Sequence, residues 1–129
     1  MSTTTSNAPE HFHVVHLDLA REAGHPTGSA RDRYTLLLPL DGEGRILEAE
    51  ARRHPDHCRV SHTDEHDEIV RGLLRPGPEG AWSFDFSAAG QGEETGFRFA
   101  QERFTPGEYV SIVRDGEEHT YRVISLQPL

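Results

Sequence analysis

The sequence predicts an all-β domain, mainly antiparallel, built as a small barrel or a two-sheet sandwich with one short helix. Three observations carry that reading. The second half is a succession of short apolar or alternating runs, "CRVSH", "EIVRGLLR", "AWSFDF", "TGFRFA", "EYVSIVR" and "HTYRVISL", separated by turn residues. Two connections, "PGPEG" and "RDGE", have hairpin chemistry, since Asp115-Gly116 readily supplies the positive φ angles of a tight turn. Trp82, Phe84 and Phe86, and again Phe97 and Phe99, recur at the spacing of two that puts side chains on one face of a strand.

Residues 1–10, "MSTTTSNAPE", have the composition of a disordered tail, which leaves 11–129 as a single β-rich domain. "HFHVVHLDLA" has the aromatic and β-branched content of a strand, with His11 and His13 on one face and His16 on the other. "REAGHPTGSARD" reads as a loop, and "RYTLLLPL" as a buried strand that Pro39 ends. After the turn "DGEG", "RILEAEARRH" favours helix, docked through Ile46, Leu47, Ala49 and Ala51 and stopped by Pro55. The last hairpin places Tyr109 and Val113 on one face and Val110 and Ile112 on the other. "SAAGQGEETG" reads as the longest connection after the tail, and about seven strands result. An open sheet of that size would leave edges uncovered, hence a barrel or a sandwich.

The chain of 129 residues is 34% hydrophobic, enough for one modest core. All 13 of its cations are arginine, so Schiff-base and P-loop lysine chemistry are excluded. A net charge of −9 opposes binding to nucleic acid or to an anionic membrane. A single cysteine forms no intrachain disulfide, and the start resembles no signal peptide; the expected setting is cytoplasmic, with a protein or small ligand as partner. Nine histidines, protonating around pH 6.5, would bring the net charge from −9 to near zero. Turbidity is therefore expected to rise between about pH 7 and 5.5, and a sample that stays clear and monodisperse would refute this.

The densest chemistry is "RRHPDHCRVSHTDEHDE", with four histidines, the cysteine and five carboxylates in seventeen residues. Such ligands suit zinc, nickel or copper. A strand from Cys58 to His62 would hold those two side chains roughly 13 Å apart, too far to share an ion. A three-residue tip of Thr63, Asp64 and Glu65 would instead set His62 opposite His66, with Asp64, Asp67 or His57 as a third ligand to Zn or Ni. The alternative is a solvated helix end, a strand and a polar hairpin. Cys58 shares a face with Val60 and suits a core residue better than a nucleophile, because His57 beside it points to the other face. The aromatic stripe of Trp82 to Phe86 builds the core or, in a larger barrel, lines a ligand cavity. The acidic pairs Glu93-Glu94 and Glu117-Glu118 read as solvated loop charges.

No nucleophile elbow, phosphate loop, dinucleotide fingerprint or paired-cysteine zinc motif is present. The leading expectation is thus a nonenzymatic binding or interaction module, with no cofactor assigned. The alternatives are a metal-binding protein centred on His62 and His66, and a ligand-binding barrel.

The segment "FTPGEYVSIVRDGEEHTYRVISL", with "WSFDF" and "CRV" upstream, resembles a family of short bacterial proteins that has no assigned activity. That resemblance covers about two thirds of the chain and implies a bacterial, compact β-rich domain. "FTPGEYV" is also similar to the Phe-x-Pro-Gly-x-Tyr-Val entry into the flavin-binding barrel of ferredoxin reductases. Where those barrels continue with an Arg-x-Tyr-Ser flavin contact, this chain has Tyr121-Arg122-Val123-Ile124-Ser125.

Overall fold

A computed structural model describes residues 11–21, 26, 28–90 and 93–129. Eight strands follow one another around a closed barrel: β1 Phe12–Leu19, β2 Ser29–Pro39, β3 Arg59–Thr63, β4 Ile69–Pro76, β5 Trp82–Asp85, β6 Glu93–Phe97, β7 Tyr109–Arg114 and β8 Glu117–Pro128. Each pairs antiparallel with its sequence neighbour, and β8 closes on β1. The barrel, rather than the sandwich, is the solution adopted, and closure removes every sheet edge. The expected tail, residues 1–10, lies outside the described residues; among the described residues no helix is long and apolar enough to cross a membrane.

Alternation along the strands selects what enters the lumen. On β2, Asp32, Tyr34, Leu36 and Leu38 are buried, and Val110 and Ile112 of β7 and Tyr121 and Val123 of β8 meet them. Trp82, Phe84 and Phe86 are buried core residues. Asp115 and Gly116 both adopt positive φ, 54° and 79°, and join Arg114 directly to Glu117.

One end of the lumen is sealed by apolar side chains from the β2–β3 and β6–β7 connections, among them Leu40, Ala51, Cys58, Phe99 and Phe104. Phe99 packs against Phe84 and Phe104 at ring separations of 5.6 and 5.0 Å. It lies over Gly96, where a Cβ would meet the ring at 2.6 Å, so the close approach needs glycine. This corrects the strand expected over "TGFRFA": β6 ends at Phe97, Arg98 turns left-handed (φ 56°), and Phe99–Gln101 form a single 3₁₀ turn.

The helix is shorter than expected. Residues 45–47 pair with the chain leaving β2, through Asp41 N to Arg45 O and Leu47 N to Pro39 O, both 2.9 Å. Only Glu48–Arg53 remain for α1, which buries Ala51, and Pro55 opens a 3₁₀ turn behind it. In the other direction, β2 begins at Ser29, four residues before the run that announced it.

Candidate functional site at the polar end of the barrel

The opposite end of the lumen is built differently. Five strands turn polar side chains inward there: Asp32 and Tyr34 from β2, His62 from β3, Glu94 from β6, Arg114 from β7 and Tyr121 from β8. Each occupies the position where the buried parity of its strand reaches the barrel mouth. Arg114 continues Val110 and Ile112, His62 continues Val60, and Asp32 precedes Tyr34 and Leu36.

Asp32 organises the network. Its Oδ1 accepts from Tyr121 Oη at 2.8 Å and from His62 Nε2 at 2.9 Å, while Oδ2 lies 3.6 Å from Arg114 Nη2. Arg114 Nη1 donates to both phenolic oxygens, Tyr34 at 3.0 Å and Tyr121 at 2.8 Å, and Tyr34 in turn donates to Glu94 Oε1. Tyr34 also stacks on His62, with ring centroids 4.3 Å apart and planes 13° from parallel, and meets Tyr121 edge-on at 4.9 Å.

Burial alone would raise the Asp32 pKa. The bonds from His62 and Tyr121 and the charge of Arg114 outweigh it, so the carboxyl is held below its usual range. An ionised Asp32 only accepts, which places a proton on His62 Nε2. Burial first, then neighbouring Glu94 for Tyr34 and Asp32 for Tyr121, pushes both phenols well above the ordinary tyrosine value and keeps them protonated. Arg114 is raised as well: burial opposes its charge, but the two phenolic oxygens prevail.

A carboxylate depressed in the folded state stabilises the protein above its unfolded pKa and loses that contribution as pH falls through the folded value. Asp32→Asn is accordingly expected to destabilise the fold at neutral pH, with a gap from wild type that narrows below about pH 4. Urea unfolding at neutral and acidic pH reads this, and a gap independent of pH would refute it.

The cross-strand pairing of His62 with His66 expected from the sequence is not formed. Asp64 Oδ1 accepts from the backbone N–H groups of His66 and Glu68 at 2.8 and 3.0 Å, and Asp64 N donates to Glu68 O. The connection therefore runs from Asp64 to Glu68, two residues longer than the expected tip, and His62 stands opposite Val70 instead of His66. His66 sits exposed in the turn, and His57 packs edge-on to Phe12 and His54 at the other end of the barrel. Among the described residues no three His, Cys, Asp or Glu side chains are grouped to hold a metal ion.

Cys58 is 1% exposed at the apolar end, and burial pushes its thiol up to about 11. A thiolate fraction of about one in ten thousand at neutral pH follows. Native protein is expected to react with a thiol-specific disulfide reagent far more slowly than protein unfolded in urea, and equal rates would overturn the assignment.

Glu94, Arg114, Tyr34, Tyr121 and Asp32 escaped sequence reasoning as a site. Glu94 has the sequence setting of a solvated loop charge, yet it faces Phe84 across the β5–β6 pair and points the same way into the lumen. The available signal was parity: a charged residue two positions beyond a buried apolar one.

The fold and site together define an antiparallel eight-stranded up-and-down barrel with one apolar end and one hydrogen-bonded polar end. Compared with protein-family models, curated proteins and solved structures, the chain gives no match.

Proposed function

We propose that the protein is a nonenzymatic binding module that receives a small polar ligand at the mouth of the barrel, over the Asp32, His62, Glu94 and Arg114 network. The observation that carries this reading is the convergence of six polar side chains from five strands at one end of a lumen whose other end is packed apolar. Folding alone gives little reason for it, since replacing buried ion clusters by apolar groups is often neutral or stabilising. Departures from core rules concentrate where proteins bind or react. The network's carboxylate and phenols are each held in one protonation state, which favours recognition over proton exchange.

The lumen beneath is filled by Tyr34, Phe84, Leu36 and Ile112, so the ligand sits at the mouth and not inside. Outward strand positions carry Arg33, Arg59, Arg71, Arg75 and Arg122, where a membrane barrel would present an apolar band. Together with the single buried cysteine and the resemblance to short bacterial proteins, this supports a bacterial cytoplasmic setting.

The test is chemical-shift mapping of labelled protein against guanidinium, ethylenediamine, imidazole and citrate. Perturbations confined to His62, Glu94, Arg114 and Tyr121 by at least one probe, and lost in Asp32→Asn, are expected. No perturbation there by any probe, or hydrolysis of ester substrates that His62→Ala abolishes, would overturn the proposal.

A further inference from the structure

The outward faces of the same strands build a second feature, independent of the polar mouth. Thr35, Ser61 and Arg71 form one cross-strand row on β2, β3 and β4, and Val14, Leu37 and Arg59 form the next on β1, β2 and β3. With Leu129, whose backbone N–H bonds Phe12 O at 3.0 Å, these residues line an open groove of about 290 Å³ on the outside of the barrel. That volume lies at the lower limit for small-molecule sites, about 300 Å³.

Its two ends differ in chemistry. Arg59 and Arg71 are diagonal neighbours across β3 and β4, a separation of roughly 7–8 Å that long side chains bridge. Arg59 Nε is anchored on Asp56 O at 2.9 Å, which orients its guanidinium, and Arg71 is exposed with no ion-pair partner among the described residues. The hydroxyls of Ser61 and Thr35 lie in the row that Arg71 completes. From there the groove runs across β2 and β1 over Leu37 and Val14 to Leu129, three strand spacings or roughly 14 Å. The two guanidinium groups bring positive charge to this end of the groove. Guanidinium groups pair bidentately with carboxylates, and the apolar stretch beyond them suits a hydrocarbon chain.

We propose that this outer groove binds a small amphiphilic carboxylate, with its head between Arg59 and Arg71 and its apolar chain along Leu37, Val14 and Leu129. The closed barrel offers no strand edge for an added peptide strand, which favours a small molecule over peptide addition.

Calorimetry of the full chain with octanoate, below its aggregation concentration, tests the proposal. Octanoate is expected to bind at least about tenfold more tightly than acetate, and Arg71→Gln and Leu37→Ser to weaken it about tenfold and several-fold respectively. Octyltrimethylammonium is expected not to compete. Arg71 is exposed and Leu37 is half-buried on the outward face, and circular dichroism verifies that the variants remain folded. Equal affinity for acetate and octanoate, competition by the cationic amphiphile, or no binding at millimolar octanoate would overturn the assignment. So would octanoate binding that survives Arg71→Gln and disappears in Asp32→Asn, which would move the ligand to the barrel mouth.

Discussion

Replacing Arg114 by methionine is expected to destabilise the fold by about 3–5 kcal/mol, the cost of stranding a buried charge after its partner is removed. The guanidinium is the cation that meets Asp32, and it bonds both tyrosines whose hydroxyls serve the two carboxylates. Without it, Asp32 and Glu94 remain at one end of the lumen with only neutral donors and His62. A chain of this size should lose roughly 10–20 °C of melting temperature. The double variant Asp32→Asn, Arg114→Met should lose less than the sum of the single losses, because each substitution removes the charge that the other left unpaired. Chemical denaturation of the four proteins measures this cycle. An Arg114→Met protein within about 0.5 kcal/mol of wild type would show that the network contributes nothing to the fold.

Truncating Phe84 to alanine is the second large effect, expected at about 3–5 kcal/mol. Phe84 is fully buried and touches Tyr34 and Phe86 toward the polar end and Phe99 on the apolar side, so it joins the two ends of the core. A cavity there cannot collapse easily, because the strands around it are fixed by closure. Phe84→Leu keeps most of the volume and should cost less than about 1.5 kcal/mol. Thermal unfolding followed by the single tryptophan, Trp82, two residues away on the same strand, reports both variants. Equal stability of the alanine and leucine variants would remove the argument.

Particular residues show how far the sequence could be read. The aromatic stripe, the Asp115-Gly116 turn, the division of β7 into Tyr109 and Val110 faces and the buried Cys58 were all legible, because each depends on alternation or local turn chemistry. The β3–β4 connection is two residues longer than its sequence suggests. Asp64 caps it through its own side chain, and no hydropathy pattern separates a three-residue tip from that arrangement. The turn residues of "GSARD" point to a loop at Asp32, whereas β2 extends back to Ser29 against β1.

The sequence alone determined the all-β class, the antiparallel hairpins and the apolar half of the core. Those follow from side-chain periodicity and turn propensity, both local along the chain. Only the tertiary structure decided that β8 closes on β1 and that Asp32, Tyr34, His62, Glu94, Arg114 and Tyr121 meet. These residues lie up to 89 positions apart. Their meeting depends on barrel closure and strand register, which bring distant inward positions to one mouth and are not encoded in any local window.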